Sequence, residues 1–291
     1  MKDGFLKVRK TGIGGSDIGA IMGENKNKSA YEVYLDKTEE VEIQCEDNEP
    51  IVWGNLLEDP ISTRYEQLTN KEQIFVTDTF RHPKYPFLIA HPDRIMPIEK
   101  KGLEIKTAGF MSRDLWGESG SQQIPTHYYL QIAHYMLVLD YDSWDIAVLI
   151  GGQELRIYTF ERLKEADDII LENGINFWEN HVLKRNPPTL ENINSKTVEF
   201  LKKRYKLVSP EIVPFGDNLF QWRDIWLEAK ELVKRYQNQV DIAQAHLLEA
   251  MKEAGRGNFS DGSSFVRKLV KAKEYMVKER EYVRFEFRKG G

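Results

Sequence analysis

The chain has 291 residues, with 41 Lys and Arg, 46 Asp and Glu, and a single cysteine, Cys45. This length can bury one large domain or a domain plus an appendage, and the composition excludes collagen-like, disordered and membrane-spanning classes. A single cysteine excludes an internal disulfide. Because no apolar run approaches the roughly 18 residues of a membrane span and no signal peptide is evident at the start, we expect a cytoplasmic protein.

The charge of the chain is unevenly distributed. A net charge of −5 argues against a nucleic-acid partner, since phosphate contacts come from Lys and Arg. From residue 256 to residue 291, however, ten Lys and Arg stand against five Asp and Glu. An acidic protein can bind DNA through such a local basic surface. A solvated hairpin face is the alternative interpretation of this segment.

The N-terminal stretch RKTGIGGSDIGAIMG, residues 9–23, is rich in glycine and hydroxyl groups. It predicts a short helix capped by Ser16 or Asp17. Since the free amides at a helix N-terminus attract anions, Arg9, Thr11 and Ser16 are candidate ligands for a phosphate group. No Gly-Lys-Ser/Thr follows the glycines, so a Walker loop is excluded. A capped turn with a purely structural role is the alternative.

A helix with a proline near its start is predicted after Trp53. Because proline fits the first turn of a helix but not its interior, Pro60 indicates that the helix begins near Asp59 or that its opening turn is irregular. Glu58 then lies at the helix start, beside any site that the following strands form. A surface glutamate near a helix N-terminus is the alternative. The residues expected to face the core are Leu56, Leu57, Ile61, Tyr65 and Leu68.

A β-hairpin carries a concentrated set of charged side chains. Its strands are predicted at residues 87–96 and 102–107, on either side of a turn rich in Pro, Lys and Gly. Side chains alternate between the two faces of a strand, so Glu104 and Lys106 share one polar face. Asp93, on the neighbouring strand, reaches the same face if the hairpin register allows it.

Two carboxylates and a lysine on one strand face suit metal-assisted chemistry on a phosphate. Carboxylate oxygens are the hard ligands that Mg²⁺ prefers, and a lysine ammonium stabilises charge beside an attacking water. A D…ExK triplet also arises by chance in a chain in which 30% of residues are charged. An exposed polar strand face is therefore the alternative.

A helix predicted for residues 126–140 places Gln131 and Tyr135 on one face, because they lie four residues apart. They either close an interior hydrogen-bond network or orient water and phosphate beside a metal. The change in sequence character after the adjacent prolines 187 and 188 predicts two parts, residues 1–190 and residues 191–291. Further predicted elements are a helix at 30–37, strands at 73–80, 144–150 and 154–160, a loop at 110–124, a helix at 161–184, helical sequence at 191–255 and a hairpin at 264–289.

The order of these motifs resembles the YqaJ-type viral recombinase family, relatives of phage lambda exonuclease in the PD-(D/E)XK nuclease superfamily. Each motif is short, and the joint order and spacing are specific over residues 5–188. The resemblance implies an α/β (α+β) fold with a restriction-endonuclease-like core, a central mixed sheet flanked by helices, and a C-terminal helical segment with a β-hairpin. The motifs that carry it are RKTGIGGSDIGAIMG, WGNLLEDPISTRYE, PFLIAHPDRI, GLEIKT, IPTHYYLQIAHYM, VLIGGQEL and FW…PP.

The resemblance also implies roles for residues on the hairpin and the helix before it. Glu58 is similar to the helix-borne glutamate that lines the family's metal site. Asp93 and Glu104 resemble the metal-ligand pair, with the backbone carbonyl of Ile105 as a further ligand. Lys106 resembles the lysine that assists the attacking water.

Three further roles follow from the same resemblance. Gln131 and Tyr135 match the QxxxY element beside the active site. Arg9 and Ser16 are similar to the pair that holds the 5′-phosphate of the digested strand, and Thr11 is a candidate for the same pocket from the N-terminal motif alone. Phe5 lies where an aromatic ring can stack on DNA.

The implied activity is a Mg²⁺-dependent 5′-to-3′ exonuclease on double-stranded DNA ends, with Mn²⁺ also expected to support it. Digestion would leave a 3′ single strand for a single-strand annealing recombinase. Relatives form a ring-shaped trimer, so a homotrimer is expected, in the host cell cytoplasm if the protein is phage- or prophage-encoded. One alternative is a structure- or end-dependent endonuclease on the same fold, which would nick circular DNA. The other is a non-catalytic DNA-binding or assembly protein, against which the complete set of Asp93, Glu104 and Lys106 argues.

Overall fold

The chain divides into two compact units, Met1–Tyr205 and Lys206–Gly291. Among the described residues, no helix combines the length and the apolar character that crossing a membrane requires. The predicted division after residue 190 stays a prediction. Phe5 and Cys45 lie outside the described residues. The computed structural model describes residues 8–39, 49–190, 195–207 and 209–269.

The first unit is built from helices around a five-stranded sheet. Its α-helices include α1 (Gly15–Ile21), α2 (Ala30–Thr38), α3 (Glu49–Thr69), α4 (Thr126–Leu139), α5 (Lys164–Phe177) and α6 (Ser195–Arg204). Its strands are β1 (Ile74–Phe75), β2 (Phe80–Arg81), β3 (Ile89–Ala90), β4 (Arg94–Met96), β5 (Lys101–Ala108), β6 (Ser143–Ile150) and β7 (Glu154–Glu161).

The central sheet has the strand order β1-β4-β5-β6-β7. Neighbouring strands are antiparallel except for β5 and β6, which are parallel. The parallel pair is joined through α4, as a parallel connection requires. The sheet is therefore mixed, and β5 lies at its centre.

The two faces of the sheet bury different helices. On one face, Leu103, Ile105 and Ala147 pack with Ile61 and Tyr65 of α3. The opposite face contributes its buried side chains to a larger core shared with α1, α4 and α5. The larger core includes Trp144, Ile146, Val148, Ile132 and Met136. The central mixed sheet flanked by helices confirms the predicted fold class.

The helix that carries Glu58 differs from the prediction. Helix α3 contains Pro60 in its interior, so Glu58 lies in the middle of the helix and not at its start. Proline removes the hydrogen bond to the carbonyl four residues earlier, at Leu56. Leu56 is exposed, so its carbonyl can bond to water. Leu56 and Leu68 were predicted to face the core and are both exposed, whereas Ile61 and Tyr65 are buried.

Two predicted strands are broken into shorter pieces. Residues 87–96 form β3 and β4, and Asp93 lies between them in extended chain. Residues 73–80 contribute only β1 and the first residue of β2. The cap of α1 is also different, because Gly14 is the N-cap and Asp17 lies three residues inside the helix. The carboxylate of Asp17 accepts a hydrogen bond from the N–H of Gly14 at 3.1 Å, so a side chain inside the helix caps the amide of the N-cap residue.

Later elements follow the predictions more closely. Helix α4 and strands β6 and β7 lie where the periodicity placed them. The predicted loop at 110–124 contains a 3₁₀ helix, Phe110–Leu115, and the helix at 161–184 is α5 continued by a π-helix, Trp178–Leu183. The second unit includes a long helix, α7 (Phe220–Met251), and a hairpin of β8 (Arg256–Asn258) and β9 (Ser264–Val266). Residues 270–289 of the predicted hairpin lie outside the described residues.

A buried histidine on α4 predicts acid sensitivity of the fold. His134 is fully buried and bonds through Nε2 to the carbonyl of Ile89 at 2.9 Å, and burial lowers its pKa to about 4. In the unfolded chain the pKa of this histidine is near 6.5. Between pH 4 and pH 6.5 the unfolded chain therefore binds more protons than the folded protein. The free energy of unfolding should therefore fall as pH drops below about 6.5, by up to about 1.4 kcal/mol per pH unit, and level off near pH 4.

Denaturant unfolding of wild type and His134→Asn between pH 7 and pH 4.5 measures this slope. The variant should show a shallower pH dependence, and His246→Asn in the exposed part of α7 serves as the control. Equal slopes for wild type and His134→Asn would contradict the assignment.

Candidate active site

The hairpin of β4 and β5 leaves part of β5 uncovered. Strand β4 pairs only with residues 101–103, so β5 continues past it from Glu104 onward. At this uncovered edge the carboxylate of Asp93 accepts the N–H of Ile105 at 2.7 Å. The N–H and C=O of one residue in an extended strand point to the same edge. The Ile105 carbonyl therefore lies on the edge that faces Asp93.

Glu104 is the most deeply buried acid of this hairpin, with 2% of its surface exposed. Its Oε1 accepts a hydrogen bond from Gln131 Nε2 at 2.6 Å and contacts the Lys106 ammonium. Its Oε2 is also buried and has no hydrogen-bond partner among the described residues. Burial, reinforced by the nearby charge of Asp93, raises the pKa of Glu104 to about 8. One oxygen of Glu104 is thus held by the protein, and no described residue pairs with the other.

Lys106 lies on the same face of β5 as Glu104, as the alternation predicted. Burial alone would lower the pKa of its ammonium group. The carboxylates of Glu104 and Asp93 outweigh burial and raise the pKa above the usual lysine value. The ammonium also lies 5.2 Å from the ring centre of Tyr128. Lys106 is therefore a fixed cation at neutral pH.

Helix α4 supplies the polar side chains that face β5. Gln131 donates to Glu104 and also to the Tyr135 hydroxyl at 3.1 Å. Tyr135 is buried, and burial raises the pKa of its phenol well above the usual value, so it stays neutral. Helix α1 packs directly on this pair at Gly15, where a Cβ atom would lie 2.6 Å from the Tyr135 ring.

Glu58 reaches the cluster from α3. Burial raises the pKa of Glu58, and the charge of Asp93 raises it further. The same mutual effect acts among Glu58, Asp93 and Glu104, so the three carboxylates lie within electrostatic range of one another. Among the described residues, however, no three Asp, Glu, His or Cys side chains are close enough to form a metal-holding group. The predicted metal ligands therefore lie in one region of the structure but do not converge on a single metal position.

The donor atoms nevertheless have the chemistry that a hard divalent cation requires. Glu104 Oε2 is buried and has no partner in the described part of the chain, and the Ile105 carbonyl lies on the uncovered edge beside the Asp93 carboxylate. Buried polar oxygens need a hydrogen bond or a cation. Mg²⁺ takes oxygen ligands of this kind and keeps several waters, so a few protein oxygens suffice.

A cavity of about 120 Å³ lies next to this cluster. Arg9 and Ser16, two of the predicted phosphate ligands, line it, and Tyr135 connects it to Gln131. Thr11 does not line the cavity; its hydroxyl donates to the Val8 carbonyl and accepts from Arg81, both at 2.8 Å. Phe5 lies outside the described residues.

Three further residues of the cavity were missed by the sequence analysis. Asp17 was taken only as a helix cap, Lys37 as the end of a helix, and His91 had no assigned role. All three line the cavity. The pairing of Lys37 with Asp17 joins residues that are distant along the chain, and no local pattern predicts it. His91 could have been noted, because it lies two residues before Asp93.

Comparison with known proteins identifies the family. The YqaJ-like viral recombinase domain matches residues 4–142 of the chain. The "Uncharacterized protein YqaJ" of Bacillus subtilis (strain 168) is 33% identical over 259 residues, which cover 88% of this chain and 80% of that protein. The chain belongs to the YqaJ-like viral recombinase family.

The solved structures that resemble this YqaJ-like chain share less sequence identity with it. An alkaline exonuclease (LHK-Exo) from Laribacter hongkongensis is 15% identical. The match covers 70% of this chain and 98% of the LHK-Exo chain, with a TM-score of 0.48. A phage-related exonuclease from Haemophilus somnus 129PT is 15% identical. The match covers 60% of this chain and 96% of that exonuclease chain, with a TM-score of 0.46. Scores below 0.5 decide neither fold nor activity.

The YqaJ-like match contains the whole candidate site. Residues 4–142 include the cavity, the hairpin and all of α4, and they end just before β6. The second unit of the chain lies beyond the matched domain.

Proposed function

We propose that this protein is a Mg²⁺-dependent 5′-to-3′ exonuclease that digests one strand of double-stranded DNA from its ends. The observation that carries the proposal is the buried Glu104, whose one oxygen is held by Lys106 and Gln131 while the other has no partner among the described residues. A buried, unpaired carboxylate oxygen beside a second carboxylate and a fixed ammonium suits metal-assisted hydrolysis of a phosphodiester. Membership of a viral recombinase family supports DNA as the substrate.

The residues proposed to hold the metal are Glu58, Asp93, Glu104 and the carbonyl of Ile105. When bound, Mg²⁺ activates a water molecule and screens the negative charge of the phosphate, and Mn²⁺ is expected to substitute for it. Asp93 is already held in place by the Ile105 amide.

Lys106 is proposed to stabilise charge and not to accept a proton. Its raised pKa keeps the ammonium protonated at neutral pH, so it can interact favourably with charge that develops on the scissile phosphate. Gln131 fixes one oxygen of Glu104, and Tyr135 fixes Gln131 from one helical turn away. Gln131 and Tyr135 therefore orient the acid that faces the reacting phosphate.

The cavity beside Tyr135 is proposed to receive the 5′-phosphate of the digested strand. Arg9 supplies a guanidinium, which suits phosphate recognition, and Ser16 supplies a hydroxyl. Phe5 is proposed to stack on DNA. Thr11 bonds elsewhere, and its proposed contact would require the hydroxyl to leave Val8 and Arg81.

Two proposals concern partners. Digestion from 5′ ends produces a 3′ single strand, which a single-strand annealing recombinase would consume. A ring-shaped homotrimer around the duplex would keep the enzyme on its substrate. Both rest on the resemblance to the family.

Digestion of linear and covalently closed circular duplexes tests the proposed function. With Mg²⁺ present, the linear duplex should disappear while the circle remains intact, and omission of Mg²⁺ should abolish digestion. Nicking of the circle would favour the endonuclease alternative, and no digestion of either substrate would favour a non-catalytic DNA-binding protein.

Arg9→Ala is expected to reduce the preference for 5′-phosphorylated over 5′-hydroxyl ends by about 10–100-fold, the contribution of a charge-assisted hydrogen bond. The ratio of initial rates on the two duplexes measures the preference. Arg64→Ala on the exposed surface of α3 is a matched control. A ratio equal to that of the wild type would place the phosphate pocket elsewhere.

A further inference from the structure

A buried ionic cluster forms the back of the cavity. The carboxylate of Asp17 contacts Lys37 Nζ at 2.7 Å and Lys28 Nζ at 3.0 Å, and the Arg9 guanidinium lies 3.9 Å away. Lys28 is shared with Asp36 at 2.6 Å. Among the described residues, this cluster has three cations against two carboxylates, and its members that line the cavity, Arg9, Asp17 and Lys37, carry a net charge of +1.

Of these cations, Arg9 is the one whose charge a ligand can reach. Burial would raise the pKa of Asp17, but Lys28, Lys37 and Arg9 outweigh burial and hold the pKa well below its usual range. Asp17 therefore stays ionised and binds both lysines closely. The Lys37 side chain is only 1% exposed, whereas the Arg9 side chain is 39% exposed. Arg9 is the cation of this cluster that a ligand can reach most readily.

Lys37 makes one contact that Lys28 lacks. Its ammonium also donates to the backbone carbonyl of Arg9 at 2.7 Å. A single buried side chain thus joins Asp17 on α1 to the backbone that carries the guanidinium. Because this one ammonium contacts both the Asp17 carboxylate and the Arg9 carbonyl, it fixes the position from which the Arg9 side chain extends.

The cavity shares one wall residue, Tyr135, with the candidate active site. Tyr135 forms part of its wall and accepts a hydrogen bond from Gln131, which in turn binds Glu104. A group held by Arg9 would therefore lie beside the residues proposed to act on the scissile phosphate. The volume of about 120 Å³ is about four times the ~30 Å³ share of one water in the liquid, enough for a compact terminal group.

We propose that Lys37, paired with Asp17, is the positioning residue that fixes Arg9 and makes this cavity selective for a terminal phosphomonoester. The inference rests on the proposed function and deepens it. A phosphomonoester carries about −1.5 to −2 charges at pH 7, whereas an internal phosphodiester carries one and a 5′-hydroxyl carries none. A pocket with excess positive charge and a fixed guanidinium favours the first over the other two.

Lys37→Met removes the ammonium and keeps an unbranched apolar side chain. We expect it to lower the rate ratio between 5′-phosphorylated and 5′-hydroxyl duplexes at least about fivefold. The matched control is Lys28→Met, which removes the other lysine from Asp17 but leaves the Arg9 carbonyl bound. An unchanged ratio in Lys37→Met, or an equal fall in Lys28→Met, would overturn the proposal.

A double-mutant cycle separates action through Arg9 from an independent effect. Since Arg9→Ala retains the backbone carbonyl, adding Lys37→Met to it should change the ratio no further. Additive losses would overturn a positioning role. If Lys37→Met fails to fold, Lys37→Gln takes its place, because the shorter amide cannot hold both Asp17 and the Arg9 carbonyl. Full preference in Lys37→Gln would also overturn the proposal.

Binding without hydrolysis distinguishes failure of this inference from failure of the proposed function. Fluorescence anisotropy of labelled duplexes in EDTA compares affinity for 5′-phosphorylated and 5′-hydroxyl ends. A preference that falls in Lys37→Met but not in Lys28→Met supports the inference even if no variant hydrolyses DNA. If the protein digests DNA but binds 5′-phosphorylated and 5′-hydroxyl ends equally well, the inference is wrong and the nuclease assignment stands.

Discussion

Lys106→Ala is expected to lower the rate of Mg²⁺-dependent digestion of linear duplex DNA by at least about 100-fold, the typical cost of removing one group that stabilises transition-state charge. The fold should survive, because loss of the ammonium raises the pKa of the buried Glu104 still further, so the side chain is protonated and leaves no unpaired buried charge. Initial rates under saturating Mg²⁺ measure the loss, and circular dichroism checks the fold.

Lys100→Ala is the matched control for this variant. Lys100 lies in the turn of the same hairpin, and its half-exposed side chain makes a surface ion pair with Asp140 at 3.7 Å. Such pairs contribute little to stability, so activity should stay near the wild-type level. Full activity in Lys106→Ala would remove Lys106 from the site.

Glu104→Gln is expected to abolish both digestion and the stabilisation of the protein by divalent cations. A ligand that binds only the folded state at 100 times its dissociation constant adds about 2.7 kcal/mol to the free energy of unfolding. For a protein of this size we expect a rise in Tm of several degrees on addition of Mg²⁺ or Mn²⁺ to the wild type. Removal of the carboxylate charge should eliminate that rise.

Thermal unfolding with and without the cation measures this effect independently of activity. Glu99→Gln, in the exposed turn of the hairpin, should keep the full stabilisation. If Glu104→Gln retained the metal-induced rise in Tm, the cation would bind elsewhere and the proposed ligand set would be wrong.

The local parts of the site were predictable from sequence. Alternation along a strand places Glu104 and Lys106 on one face, and a four-residue interval on a helix places Gln131 beside Tyr135. These relations depend only on the geometry of one element. The contact between Gln131 and Glu104 joins two elements and became visible only in the fold.

Other parts depend on tertiary contacts that a local pattern does not encode. Pro60 predicted a helix start, yet α3 continues through it, since packing of Ile61 and Tyr65 against the sheet stabilises the helix beyond the proline. Asp93 was expected within a strand, but it lies outside one and bonds to the Ile105 amide. The contacts of Lys37 with Asp17 and with the Arg9 carbonyl likewise depend on how α2 packs near α1.

Digestion of a linear duplex labelled at either the 5′ or the 3′ end of one strand tests the central claim most directly. With Mg²⁺ present, the 5′ label should be released at once as a mononucleotide, while the 3′ label should persist in a long single strand. Early release of the 3′ label, or label appearing first in internal fragments, would contradict a 5′-to-3′ exonuclease.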